Sequence, residues 1–289
     1  MRGLTLTLAL LCSGPVQGNP LDAFGFSARS AALGGAVSAK PMDTSANYYN
    51  PAGLAQLDHI RIELGYTLVQ PELSMNDEDQ AVDASRGLQA GILLPLEWSG
   101  RGAGFSIGLH LPDERISRIR ALPQRQPRWV LWDNRPQRLV ITSSAAIELI
   151  DGLSIGGGLT YLANTSGTLN LTGQVDLFEA EETLLTSAVD VNLAAVRYAS
   201  VGLNWRPTTH WSFGATWRQD FSLKLDLTVD VRADVVTAGD NVVVPDGRLL
   251  LRSTNDNLYS PEQLYIAAAY QNDTWYFGAE IGWVRWSAF

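Results

Sequence analysis

The feature that most limits what this chain can fold into is a two-residue alternation, sustained over stretches longer than soluble strands usually run. In 59-HIRIELGYTLV-69, Ile60, Ile62, Leu64, Tyr66 and Leu68 share one face of an extended chain, and Arg61, Glu63, Gly65 and Thr67 share the other. The pattern returns over 86–98, 103–111, 137–149, 152–162, 194–206, 210–221, 262–271 and 274–286. In 210-HWSFGATWRQDF-221, for example, Trp211, Phe213, Ala215 and Trp217 oppose Ser212, Gly214, Thr216 and Arg218. That makes about nine strands of roughly 9–13 residues, the length that crosses a bilayer when tilted, whereas soluble strands usually run about 5–6 residues.

A soluble sandwich shows the same alternation, so the connections have to separate the two. Long polar segments at 70–85, 112–136, 165–192 and 226–261 alternate with the tight connections 98–102, Asp151-Gly152, 206–210 and 271–274. Long loops at one end and short turns at the other are the habit of outer-membrane barrels, and a sandwich has no reason to adopt it. Trp98, Trp205, Trp211, Trp217, Trp275 and Trp283 sit near strand ends, where an interfacial girdle would place them. The run 223-LKLDLTVDVRADV-235 alternates as well and is expected to extend its strand beyond the membrane. The sequence thus predicts an all-β, antiparallel transmembrane β-barrel.

The N-terminus reads as an export signal. Arg2 precedes the apolar run 4-LTLTLALLCSG-14, and Val16-Gln17-Gly18 offers small residues for cleavage, so 1–18 is taken as a signal peptide. Cys12, the sole cysteine, falls inside it, which leaves the exported chain without disulfides or a thiol nucleophile. The net charge of −9 argues against nucleic acid as a partner. The chain has three histidines, of which His59 and His210 fall at strand ends and only His110 on a polar strand face. With no G-x-S-x-G elbow and no metal-ligand spacing, no catalytic residue, metal or cofactor is expected. Asp77, Glu78 and Asp79 read as a solvated acidic loop, and Gly156-Gly157-Gly158, lying mid-strand without a following Lys, as a place of close backbone approach or curvature rather than a phosphate loop.

Between the signal and the first strand lie 23-AFGFSARSAALGGAVSA-39, then Asp43-Thr44-Ser45-Ala46, then Asn50-Pro51-Ala52-Gly53-Leu54. This order resembles the N-terminus of the FadL-type outer-membrane transporters of long-chain fatty acids and hydrocarbons, whose mark is an Asn-Pro-Ala triplet after a Gly/Ala/Ser-rich segment. A second likeness is 283-WVRWSAF-289. The resemblance implies a barrel of about fourteen strands with its N-terminal segment folded inside as a hatch. It divides the chain into a hatch at 19–57 and barrel wall at 58–289. About nine strands are legible here, so a C-terminally truncated fragment is expected, the alternative being a smaller complete barrel of eight or ten strands.

The resemblance also implies passive uptake of a hydrophobic small molecule such as a long-chain fatty acid, across the bacterial outer membrane. An aromatic or alkane hydrocarbon is the alternative solute, and a structural or adhesive barrel without a transported ligand the rival from another class. The hatch motif is Asn50, Pro51, Ala52 and Gly53. Phe24, Phe26, Leu33, Val37, Tyr48 and Tyr49 are the ligand-pocket candidates, because such a pocket is apolar and aromatic. Leu122, Arg125, Arg128, Trp129, Leu131 and Trp132 are candidates for ligand capture in an outer loop, their arginines suited to a ligand carboxylate or lipopolysaccharide phosphates. An exit through the wall near the third strand, about 103–112, is implied too. The expected partners are the hydrophobic ligand, outer-membrane lipid and lipopolysaccharide, with the protein a monomer.

Overall fold

The computed structural model of the protein describes residues 27–70, 72, 74–79, 85–113, 138–176, 184–237 and 241–288. The signal segment, Phe24, Phe26, Phe289 and all six outer-loop capture candidates lie outside these residues. Nine strands pair antiparallel in chain order to form one wall. They are β1 (Arg61–Val69), β2 (Ser85–Trp98), β3 (Arg101–Pro112), β4 (Val140–Ile150), β5 (Leu153–Asp176), β6 (Leu184–Trp205), β7 (Trp211–Arg218), and, after an inserted hairpin, β10 (Gln263–Gln271) and β11 (Tyr276–Val284). The hairpin strands are β8 (Phe221–Thr237) and β9 (Asn241–Ser260). Two-residue strands at Ser74–Met75 and Glu78–Asp79 make a small separate hairpin around Asn76 and Asp77, both at positive φ. All nine stretches read from the alternation are wall strands.

The outer face of the wall is apolar and open. Ile62 is 80% exposed, Leu64 77% and Ile281 72%, and Ile107, Val201, Leu203 and Ile266 are exposed on the same side. A sheet in water would bury such a face; a sheet in lipid need not. Trp98, Trp205, Trp211 and Trp275 gather at the tight-turn end, and Trp217 and Trp283 lie six to eight residues further along their strands, roughly 20–26 Å at the strand rise. Foreshortened by the usual strand tilt to roughly 15–20 Å, that separation sets two aromatic levels with the apolar face between them. The tight turns follow backbone rules: Ser99 and Gly100 both take positive φ, as a two-residue hairpin turn requires, and Gly152 does so between β4 and β5.

The outer ends depart from the sequence expectation. The run 223–235 does not prolong the strand before it. The ladder of β7 stops at Arg218, and β8 runs inward across β6 and β5, packing Phe221 and Leu223 on Val140, Leu162 and Tyr198. It then joins β5 in a parallel ladder from Leu227↔Gly167 to Val236↔Asp176, on the edge left free where β4 has ended, and β9 returns antiparallel. Alternation shows that a segment is a strand but not which neighbour it takes. The long segments 165–192 and 226–261 are therefore largely strand: the outer halves of β5 and β6, with β8 and β9, form one projecting four-stranded sheet.

Residues 27–57 lie on the inner face of the wall. They fold as helix α1 (Ala28–Ala32), a turn, helix α2 (Ala46–Tyr49) and a 3-10 helix (Pro51–Gln56). Ser27 caps α1 through a reciprocal bond pair with Ser30. Asn50 caps the 3-10 helix, its Oδ1 accepting from Ala52 N at 3.1 Å, and Pro51 takes the first helical position, where a missing N–H costs nothing.

Candidate functional site

At the level of the N-terminal segment the inner face of the wall is small and polar. Ser106, Thr142, Ser144, Ser154, Thr160, Ser200, Asn204, Ser212 and Thr216 are buried along it. Six strands also place a glycine directly under the segment. Gly91 lies under Thr44, Gly104 under Leu54, Gly156 under Pro51 and Ala52, Gly202 under Asn50, Gly214 under Ser38 and Gly278 under Ala36. At Gly104 and Gly202 the approach is closest: an added Cβ would collide with Leu54 O and Asn50 Oδ1. The first glycine of 156–158 thus allows close backbone approach.

This seat is held by polar contacts. Asn50 Nδ2 donates to Leu203 O of β6 at 2.9 Å and to Ser38 O at 2.8 Å. Asn204 Nδ2 donates to Ala39 O at 2.7 Å, while its Oδ1 accepts from Gln56 Nε2 at 2.6 Å. Ser154 Oγ donates to Ala52 O at 2.9 Å, and Asn47 Nδ2 to Ser106 Oγ at 3.0 Å. Ser212 Oγ also donates to Ala39 O. At the β1 side Glu63 accepts from Thr44 N and Oγ1, and at the β11 side Glu280 accepts from Ser38 N at 3.2 Å. Burial, with Arg206 and Arg29 nearby, pushes the Lys40 amine below its ordinary value. Each such bond contributes on the order of 1 kcal/mol net, because water replaces it when broken. The seat is mixed: beside these bonds, Ala46, Leu54 and Ala55 of the segment pack on Leu93 and Ala146 of the wall, and Ala39 packs on Ala267 and Ala269.

The hatch-motif residues Asn50, Pro51, Ala52 and Gly53 are all buried here, Gly53 against the ring of Pro41. Of the pocket candidates, Val37, Tyr48 and Tyr49 form one buried cluster with Leu33 packed against it. They face each other and the wall rather than lining an open cavity.

A feature that sequence reading passed over is Arg218, at the end of β7 and 3% exposed. Its Nε donates to Tyr48 O at 2.9 Å and its Nη1 to Gln263 Oε1 at 2.9 Å. The guanidinium lies over the rings of Tyr48 at 4.0 Å, Tyr265 at 4.6 Å and Tyr49 at 5.7 Å. The available signal was an arginine in phase with the Ser/Gly/Thr set of its strand, where a cation needs partners.

Outward of the seat the inner face turns apolar. Val140, Leu162, Tyr198, Phe221 and Leu223 form a buried cluster with Val196 against it, and Tyr198 stacks on Phe221 at 4.4 Å. Beside it, Arg138 is buried and donates to Ala163 O at 2.9 Å; burial lowers its pKa to about 10, which leaves it a cation at neutral pH. A cavity between Thr44, Gln89, Gly108, His110, Val140 and Thr142 measures about 20 Å³, room for roughly one water. Among the described residues the implied gap near the third strand is not seen between Ala103 and His110. β3 pairs with β2 from Gly87↔Pro112 to Trp98↔Arg101, and with β4 from Ala103↔Ile147 to His110↔Val140, without a register break.

No protein-family model matches the chain, and no curated protein does. Solved structures do. The chain is similar to the Ralstonia pickettii toluene transporter TbuX, at 18% identity over 91% of this chain and 72% of that one, with a TM-score of 0.56. It is similar to the Pseudomonas putida toluene transporter TodX at 16% identity over 90% of this chain and 70% of that one, with a TM-score of 0.50. The chain has the fold of these transporters, an antiparallel β-barrel wall, as its N-terminal motif led one to expect.

Proposed function

We propose that this chain is an outer-membrane transporter for passive uptake of hydrophobic small molecules, in which residues 19–57 act as a movable hatch. The observation that carries this reading is the seating of 27–57 on the polar inner face of a wall whose outer face is bare apolar surface, with an apolar cluster just outward of the seat. An apolar solute entering from the outer sheet would part the buried cluster of Phe221, Leu223, Tyr198 and Leu162 on its way inward. Inward of that cluster the seated hatch meets the wall in buried contacts at Tyr48, Asn50 and Leu54, and a path through them opens only if they part; a recess of about 220 Å³ between Ser27, Asp43 and Thr44 of the hatch and Glu63, Gly65 and Gln89 of the wall lies at its β1 side. The hatch must therefore shift, and a ligand shifts it only by binding the lifted state more tightly than the seated one.

The toluene transporters of the same fold support monoaromatic hydrocarbons as the solute. Long-chain fatty acids are the second reading, supported by Arg138, a buried cation beside the apolar cluster and suited to a carboxylate. The test is uptake into liposomes bearing the purified protein, comparing toluene, oleate and a sugar. Toluene or oleate should accumulate faster than in protein-free liposomes. Sugar uptake without either would overturn the reading in favour of a polar pore.

A further inference from the structure

We propose that Arg218 and Tyr265 form a binding subsite for an aromatic ring, which Tyr48 of the hatch fills in the seated state. The inference rests on the uptake reading above and deepens it by assigning ring recognition to one place in the lumen.

Three observations converge on it. First, the receiving groups belong to the fixed wall. Arg218 and Gln263 are direct ladder partners on β7 and β10, Tyr265 pairs Thr216, and the Tyr265 ring lies flat against Gly282 of β11, where a Cβ would collide with it. Second, the occupant belongs to the hatch. Tyr48 places its ring 4.0 Å from the guanidinium carbon and meets Tyr49 edge-on at 5.2 Å. Third, the subsite adjoins the apolar cluster. Arg218 pairs Ser200, and two residues outward on the same face Tyr198 stacks on Phe221. A ring held at that stacked pair needs only a short step inward to reach the guanidinium.

The chemistry selects arenes. A guanidinium out of water is attracted to the negative face of a π system, and a second ring extends the surface. A saturated ring or alkyl chain of equal size covers the cation without that attraction. Tyr48 thus serves as an internal stand-in for the ligand. An arene taking its place loosens the hatch, because Tyr48 contributes both the ring and the carbonyl that Arg218 Nε holds.

The experiment measures equilibrium binding of toluene and methylcyclohexane to the full chain in detergent micelles, for the native protein and for Arg218→Met, Arg218→Lys, Tyr265→Leu and Tyr48→Leu, with folding monitored by circular dichroism. The native protein should prefer toluene by about fivefold to thirtyfold, the range a desolvated cation–π contact supplies. Arg218→Met and Tyr265→Leu should bring that ratio toward one, Arg218→Lys should restore part of it, and Tyr48→Leu should tighten toluene binding. Equal affinities in the native protein, or a ratio unchanged in both Arg218→Met and Tyr265→Leu, would overturn the subsite while leaving hydrophobic uptake standing. If neither hydrocarbon binds at all, the uptake reading falls together with it.

Discussion

Asn50 is where sequence and seat meet most tightly. One side chain caps the 3-10 helix through its oxygen and ties two carbonyls, Ser38 O and Leu203 O, through its amide nitrogen. Nothing else of that size offers an acceptor and two donors in one plane. Asn50→Ala removes both bonds and the cap and should weaken hatch seating by about 1 kcal/mol for each bond lost. Asn50→Asp should be worse still: it keeps the cap but sets a carboxylate against two carbonyl oxygens. Amide hydrogen exchange over 36–56 would rank them native, Ala, Asp in rising rate, and an Asp variant as protected as native would refute the argument. The motif was legible because its residue types are so constrained. Its partners were not. Gly202 and Gly214 read only as small members of an alternating face, and the collision that requires them appears once the hatch lies on top. Arg218 was legible only as a member of that face.

At the scale of elements, the wall strands were readable because each is two-sided, and the alternation survives in any neighbour order. The β8–β9 hairpin was not, because its pairing with β5 depends on an edge that opens only where β4 stops. Polar ties fasten it. Arg248 binds Asp230 through Nε and Nη2, both at 2.9 Å, and Arg232 adds a third bond at 3.1 Å. These bonds hold the Asp230 carboxyl below the usual carboxylate range, Arg248 contributing most. At the hairpin's return, bonds from Trp217 and Arg285 do the same for Glu262. A depressed folded-state pKa means stabilisation that is complete above the unfolded value of about 4 and is lost as pH falls through the folded value. The hairpin should therefore loosen in acid before the wall does, and Asp230→Asn should remove much of that dependence. Proteolysis between 221 and 260, followed from pH 7 to pH 3, checks it; cleavage that does not rise with acidity would contradict it.

At the scale of the whole molecule, the three layers have different polarity for different reasons. The outer face is apolar because lipid is its solvent; on the uptake reading proposed above, the many polar bonds of the seat suit a hatch that comes and goes, and the apolar cluster outward of it suits an apolar solute. The arrangement works only if the hatch moves, which a tether can test. Asn47 Nδ2 of the hatch meets Ser106 Oγ of β3 at 3.0 Å, and both residues are buried. Cys12 is the sole cysteine, so in a Cys12→Ser background Asn47→Cys with Ser106→Cys makes one engineered pair without competing thiols. Oxidation, or a short bifunctional thiol reagent, should lock the hatch to the wall. Toluene uptake into liposomes should then drop to the protein-free level and return on reduction, while either single variant stays active under the same treatment. The wall is unaltered in the locked protein, so the loss reports movement of the hatch rather than damage to the barrel. Undiminished uptake with the link complete by mass would mean that solute passes without lifting α2, and the mechanism would have to be sought elsewhere along the wall.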